Sequence, residues 1–213
     1  MPGRNVPLGN GEFYHVYNRG SDKRNIFIQP RDYKRFQQTF YYYQFLGPKP
    51  KFSNFAKSKL DNFKSLPDSE LIEIICYCLM PNHFHFLIKQ KNPNSIDKFM
   101  NSLMTRYTMY FNKKYKRVGS LYQGVYNAVL VFTDEQLLNL SRYIHKQALS
   151  IPSLTGSGQP SSYTIFTGSE KSEWVYPEEI LSYLSKEYPK FTYKTLLNEE
   201  SDWDLIHNFT LEE

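Results

Sequence analysis

Hydrophobic and polar residues alternate along this chain with two periods, and the two periods follow one another in a defined order. A two-residue period or a short apolar run predicts strands over 13–18, 71–80, 83–89 and 121–132. A spacing of three to four residues predicts helices over 31–46, from an Asn94 N-cap to about Tyr115, and over about 134–148. The resulting order, β-α-β-β-α-β followed by a helix, predicts an α+β fold of the ferredoxin-like, split βαβ kind. That fold packs its helices on one face of an antiparallel sheet, and we expect the other face to be open for a site.

Turn and capping residues set the expected boundaries of these elements. Asn94 with Asp97, and Thr133 with Gln136, have the spacing of helix capping boxes. Gly119 is expected to end the second helix, and Gly124 is expected to mark a bulge in the last strand. The predicted domain covers residues 12–149 and contains an inserted Lys- and Ser-rich loop over 48–69. Residues 150–213 are expected to form a loop and an appendage with short helices over 178–186 and 196–205.

Composition narrows the class of protein. The chain has 213 residues, with 18 Tyr, 16 Phe and 2 Trp, which is too aromatic for a disordered chain. No apolar run approaches the roughly 18 residues of a membrane-spanning helix, and the first residues lack the apolar core of a secretory signal. The two cysteines, Cys76 and Cys78, are too few for a disulfide framework or a Cys-rich zinc site. We therefore expect a protein without a membrane partner, in the reducing cytoplasm.

The charge is distributed unevenly. The last 28 residues contain three lysines and seven acids, so the overall charge of +5 rises to +9 over the residues before them. No acid occurs between Asp97 and Asp134, a stretch in which tyrosines alternate with cations. Such a pattern is typical of nucleic-acid binding but also of a solvated helix face over an aromatic core. The cations that we favour as DNA backbone contacts are Arg106, Lys113, Lys114, Lys116 and Arg117.

Two histidines on one predicted strand are the main chemical signal. His83 and His85 project from the same face, about 6.5–7 Å apart along the strand, while Phe84 and Phe86 point into the core. Two imidazoles fixed in this way form half of a site for a divalent metal, although a hydrogen-bonded structural pair is the alternative.

The helix over 134–148 offers further candidates. Tyr143 and Gln147 lie four residues apart and so share a helix face. Gln147 could complete a metal site, and Tyr143 could act as a nucleophile if a metal polarised the target phosphate. In a chain with 18 tyrosines, a half-buried helix aromatic is an equally ordinary interpretation of Tyr143.

Four blocks of the sequence resemble a known family. They are YHVYNRGSDKRNIF, YCLMPNHFHFLIK, GSLYQGVYNAVLV and LSRYIHKQA, in that order, and they span about residues 13–148. In this order they are similar to the REP-associated tyrosine transposases, which are single-tyrosine HUH transposases of the insertion-sequence-200 class.

The resemblance implies a function and its residues. His83, His85 and Gln147 would bind Mg²⁺ or Mn²⁺, and Tyr143 would cut single-stranded DNA near a hairpin through a covalent 5′-phosphotyrosine. Relatives include monomers and homodimers. Arg19, Lys23 and Arg24 in the turn after the first strand, together with Gln123, are additional candidates for DNA contact.

Several alternatives stay open at this point. His15, in the first block, could approach the site or only support the backbone. The protein could be a domesticated DNA-binding protein that recognises repeated palindromic hairpins without transposition, or a replication initiator or relaxase-like nuclease of the same chemistry. It could also be a basic nucleic-acid-binding α+β domain without catalysis.

Overall fold

A four-stranded antiparallel sheet organises the described part of the computed structural model, which comprises residues 8–47, 49, 51–55, 69–152 and 158–199. The strands are β1 (Phe13–Arg19), β2 (Ile72–Met80), β3 (His83–Gln90) and β4 (Asn127–Val131). They lie in the order β2-β3-β1-β4, which is the order that a ferredoxin-like β-α-β-β-α-β chain produces. The predicted fold class is therefore confirmed.

Helices lie on both faces of this sheet. They are α1 (Pro30–Tyr43), α2 (Phe52–Phe55), α3 (Ser95–Tyr115), α4 (Asp134–Ser150), α5 (Tyr163–Phe166), α6 (Glu178–Glu187) and α7 (Tyr193–Asn198). Helices α1 and α3 pack against each other and against one face, which we call the helical face. Helix α4 packs across β2 and β3 on the opposite face, which we call the histidine face.

The alternation of residues along β3 explains why the sheet has two buried faces. Phe84, Phe86 and Ile88 are fully buried in the aromatic core beneath α1 and α3. His83 and His85 belong to the opposite face, where Leu87 packs with residues of α4. The expectation of an open second face is wrong, because α4 and the helices of the appendage cover much of it with their own apolar residues.

Among the local predictions on helix caps and strand ends, the Thr133 capping box is confirmed and three others need correction. Asn94 has a left-handed φ of 60° and no side-chain capping bond, so the first capping box does not form. The second does form, since Thr133 accepts a hydrogen bond from the backbone of Gln136 and Gln136 caps the backbone of Thr133 in return. The last strand begins only at Asn127, and Gly124 (φ 140°) lies in the bend before it rather than in a bulge.

Other boundaries are close to the predicted ones. Helix α3 ends at Tyr115, with Lys116 in a left-handed conformation, before the predicted stop at Gly119. The predicted loop over 48–69 includes the short helix α2, and residues 56–68 lie outside the described part of the chain. The predicted helix over 196–205 corresponds to α7, and its residues from 200 onward are likewise not described. No helix among the described residues is sufficiently long and apolar to span a membrane.

Candidate active site

Three rings meet on the histidine face of β3. The His83 and His85 rings are edge to face, with centroids 5.0 Å apart. The Tyr143 ring, which comes from α4, meets His85 edge to face at 5.7 Å. The structure therefore brings together the predicted nucleophile and both predicted imidazole ligands, although they come from elements that are far apart in the sequence.

A third histidine supports this group from the neighbouring strand. His15 on β1 pairs in register with Leu87 of β3, and its Nε2 atom lies 2.9 Å from Nδ1 of His85. If His85 donates this hydrogen bond from Nδ1, its Nε2 atom keeps a free lone pair. The sequence identified His15 only as a residue with two open roles, and the structure places it directly behind His85.

Burial keeps both candidate ligands neutral. Loss of hydration, together with the charge of Arg19, lowers the pKa of His83 to about 4. The same loss of hydration, followed by the charges of His15, His83 and Arg19, holds the pKa of His85 well below its usual range. Neutral imidazole is the form that binds a metal ion. Nε2 of His85 is buried and has no hydrogen-bond partner within the described part of the chain.

The turn between β2 and β3 positions His83. Nδ1 of His83 lies 2.6 Å from Oδ1 of Asn82, and Nδ2 of Asn82 donates to the carbonyl of Lys23. The backbone of Gly20 donates to the carbonyl of Asn82. A Cβ atom at Gly20 would lie 2.3 Å from the carbonyl oxygen of Arg24, so only glycine allows this close approach. Asn82 was not among the site residues predicted from the sequence, because its contact with His83 depends on the geometry of this turn.

Contacts with the appendage fix the helix that carries Tyr143. Arg142 donates to the carbonyl of Glu199, as does Lys146. His145 is fully buried between the hydroxyls of Tyr193 (2.6 Å) and Ser162 (2.8 Å), and burial lowers its pKa to about 3. His145 is thus part of a structural network on the side of the helix away from the histidine pair.

Tyr143 is buried as well, with 4% of its surface exposed and its hydroxyl oxygen inaccessible to solvent. Gln147 lies one helical turn further on and is half-buried. This part of α4 is linked to the end of β2 through a neighbouring segment. The carbonyl of Ala148 in α4 accepts a hydrogen bond from the backbone of Gln159, and the carbonyl of the next residue, Pro160, accepts one from the backbone of Leu79 in β2. At that end of the sheet Met80 pairs with His83.

Four candidate DNA contacts cluster beside His83. Arg19 pairs in register with His83, and its carbonyl accepts a hydrogen bond from the backbone of Gln123. Lys23 is exposed and shares a shallow pocket with Gln123. Arg24, also a predicted DNA contact, pairs with Asp22 at 2.7 Å, but this ion pair is exposed and so contributes little.

The basic residues of α3 and of the turn that follows it separate into two groups. Arg106, Lys113 and Lys116 are exposed and Arg117 is half-buried, with a bond to the Asn112 amide. Lys114 is a correction to the prediction, because its ammonium lies 2.6 Å from the fully buried carboxylate of Asp32. Burial alone would raise the pKa of Asp32, but hydrogen bonds, that from Lys114 first among them, lower it below its usual range. Lys114 therefore stabilises the fold.

The two cysteines of the chain lie on β2. Cys76 and Cys78 are buried free thiols in the core of the histidine face. Within the described residues no group of three or more His, Cys, Asp or Glu side chains could hold a metal ion. A metal bound by the His83 and His85 pair would therefore need a ligand of another type.

Part of this chain matches a known protein family. Residues 52–147 match the model of the family described as transposase IS200-like. The matched segment is somewhat less than half of the chain, and it includes His83, His85, Tyr143 and Gln147. For this segment the match confirms the resemblance that the sequence blocks indicated.

Curated proteins and solved structures give no further support for a function of this chain. Among curated proteins none matches the chain significantly. The solved structures that match include one titled "Structure of the REP associates tyrosine transposase bound to a REP hairpin", at 11% identity. The aligned region covers 79% of this chain and 86% of that chain, with a TM-score of 0.48. Similarity at this level carries no weight for the function of this chain.

Proposed function

We propose that this protein is a metal-dependent DNA endonuclease and strand transferase that acts through a covalent tyrosyl phosphodiester. The observation that carries the proposal is the contact between Tyr143 and His85, on a strand face that also presents His83. These residues lie in the segment that matches the IS200-like transposases. The proposed substrate is single-stranded DNA beside a hairpin.

The residues present fit a divalent metal ion. Buried polar atoms are nearly always hydrogen-bonded, so a buried Nε2 atom of His85 without a partner in the described chain supports a role as a ligand. The hydrogen bond with His15 would fix the ring orientation and tautomer that this role requires. His83, His85 and the amide oxygen of Gln147 would hold the ion, which is Mg²⁺ or Mn²⁺ in this proposal. When bound, such an ion polarises a phosphate and neutralises developing charge.

The chain's own residues perform the bond changes. The phenolic oxygen of Tyr143 attacks the scissile phosphorus, and a P–O bond to Tyr143 forms as the bond to the 3′-oxygen breaks. The phenolic proton passes to solvent water, and the released 3′-oxygen takes a proton from water, so the strand ends in a 3′-hydroxyl. The phosphodiester is conserved in the phosphotyrosine, and a second 3′-hydroxyl can reverse the step without ATP.

Basic residues next to His83 would hold the flanking DNA. Nε of Arg19 is buried, has no hydrogen-bond partner among the described residues, and belongs to the residue that pairs with His83. A guanidinium in this position suits a phosphate oxygen. Because the hydroxyl of Tyr143 is inaccessible, entry of the DNA must displace the Tyr143 side chain or shift α4 before attack.

The same burial of Tyr143 favours a second candidate function. A protein that recognises DNA hairpins without cutting them would need no exposed nucleophile, and its Tyr143 would serve only to pack α4 on β3. This candidate predicts the same DNA binding but no covalent product.

One experiment separates the two functions. The full-length protein is incubated with Mn²⁺ and a labelled single-stranded hairpin library, and protein–DNA adducts that resist denaturation are resolved on a gel. We expect an adduct with the wild type, none with Tyr143→Phe, and none with His83→Ala, while both variants retain most DNA binding because phosphate contacts lie elsewhere. An adduct formed by Tyr143→Phe, or the absence of any wild-type adduct across the library, would exclude the proposed mechanism.

A further inference from the structure

A second basic surface lies on the opposite side of the sheet from the histidines. Helices α1, α2 and α3 enclose a groove of about 680 Å³ on the outer side of the helical face. Among the described residues, four cations line it, Arg35, Lys51, Arg106 and Lys113, and no acidic residue does. The sequence predicted DNA contact for Arg106 and Lys113, and the structure places both of them away from His83.

The cations of this groove are not neutralised within the described chain. None of the four lies within an ion pair there. Asp32, the acid at the start of α1, is fully buried and occupied by Lys114. Arg31 and Lys34 extend the cationic row along α1, because a smaller pocket shares Arg35 with the groove. From Arg31 to Arg35 this row spans about 6 Å at about 1.5 Å per residue, so it extends the basic surface of the groove by about one helical turn.

Aromatic rings alternate with these cations. Tyr43 and Phe52 line the groove and are half-buried, so each presents part of its ring to the solvent. The Arg35 guanidinium lies 5.3 Å from the centre of the Phe52 ring and 5.0 Å from that of Tyr110. Flat rings beside fixed cations are the combination that binds unpaired bases and their phosphates. A double helix would present its phosphates but keep its bases stacked inside.

We propose that the groove between α1, α2 and α3 is a second nucleic-acid site that holds a single-stranded segment. Arg106 and Lys113 contact its phosphates, and Tyr43 and Phe52 stack on its bases. Binding at this site requires neither metal nor cleavage at Tyr143, so its test is independent of the test of the proposed function. An acidic peptide is the competing ligand, which would use the cations but not the rings.

The test measures binding of a fluorescein-labelled 15-nucleotide oligothymidylate, which forms no hairpin, to the full-length protein by fluorescence anisotropy over a range of salt concentrations. For Arg106→Gln/Lys113→Gln we expect roughly tenfold weaker binding, and a log–log salt slope smaller by about 1.4, because each phosphate contact contributes about 0.7. Lys171→Gln/Lys190→Gln removes the same charge from exposed lysines elsewhere and should bind as the wild type does. Unchanged binding in the first variant, or an equal loss in the control, would overturn the proposal.

Two further measurements distinguish the ligand and the surface. Tyr43→Leu should weaken binding about fivefold with little change in salt slope, since stacking of one base contributes on the order of 1 kcal/mol. No effect of Tyr43→Leu, or equal competition by a 15-base-pair duplex or by polyglutamate, would exclude a single-stranded nucleic-acid site. Arg19→Gln gives the comparison on the histidine side, because Arg19 pairs in register with His83. If Arg19→Gln weakens oligonucleotide binding as much as Arg106→Gln/Lys113→Gln does, the oligonucleotide occupies the histidine face instead and the proposal fails.

Discussion

The two faces of β3 are formed by alternate residues of one eight-residue strand, yet they have different roles. On the helical face Phe84 and Phe86 are fully buried and contact the rings of Phe36 and Phe40, with centroids 5.2–5.3 Å apart for the pairs Phe36–Phe84 and Phe40–Phe86. On the histidine face the equivalent positions hold His83 and His85, which contact each other, His15 and Tyr143. The phenylalanines stabilise the fold by burying apolar surface. The histidines lose hydration on burial and are therefore held as neutral imidazoles.

This difference shows how a rigid site can be built on a strand. The phenylalanines fix the strand, and the alternation of side chains fixes where the histidines point. The energetic contributions should therefore separate: substitutions on the helical face should affect folding, and substitutions on the histidine face should affect chemistry.

The strongest test of this separation compares neighbouring residues of β3. Phe84→Ala should lower the free energy of unfolding by about 3–5 kcal/mol, because it removes a fully buried ring. His83→Ala should change it by no more than about 1 kcal/mol, since the half-buried imidazole gains little from burial. Urea unfolding followed by circular dichroism measures both values. Equal losses would show that the histidine pair is a structural element like the phenylalanines.

A second comparison divides the basic residues of α3. Lys114→Met leaves the buried carboxylate of Asp32 without its cation and should cost about 3 kcal/mol of stability. Lys113→Met removes an exposed charge next to it in sequence and should stay within about 0.5 kcal/mol. The same unfolding assay applies. If both variants are equally stable, Lys114 belongs with the cations that are available to a ligand.

The smallest expected effect concerns alkaline pH. Burial raises the pKa of Tyr33, Tyr41 and Tyr77 on the helical face to about 12, whereas in the unfolded chain these phenols ionise near 10. The native state thus binds more protons between these values, and stability present below pH 10 is lost as pH rises toward 12. The loss is at most about 1.4 kcal/mol per pH unit for each tyrosine.

The variant Tyr77→Phe tests this assignment. Its stability, measured by urea unfolding from pH 8 to 11, should fall less steeply above pH 10 than that of the wild type. An unchanged slope would show that Tyr77 does not contribute to alkaline destabilisation.

The fold could be predicted well from the sequence because it depends on local alternation. The apolar pattern of β2 and β3 and the helical spacing of α1 and α3 led to the correct sheet, and the Thr133 capping box identified the start of α4. The strand over 121–132 was predicted too long, since its β-forming residues before Asn127 lie in a bend next to the turn after β1. The β propensity of a residue indicates whether it favours a strand, whereas hydrogen-bonded pairing with β1 decides where this strand begins.

The site could be predicted only in part. His83 and His85 were identified because a strand places alternate residues together. The hydrogen bond between His15 and His85 depends on the register of β1 against β3, and the ion pair of Lys114 with Asp32 depends on how α1 meets α3. Neither leaves a signal in the local pattern. Burial of the Tyr143 hydroxyl is likewise a result of how α4 packs.

The central claim is that Tyr143, and no other tyrosine, forms a phosphodiester with DNA on the histidine face. The most direct measurement is peptide mapping by mass spectrometry of the covalent product formed with Mn²⁺ and hairpin DNA, after digestion with trypsin and nuclease. We expect a nucleotide attached to the tyrosine of the peptide that contains Tyr143, and no such product when His83 or His85 is replaced by alanine. A nucleotide attached to any other residue, or a product that forms without the two histidines, would contradict it.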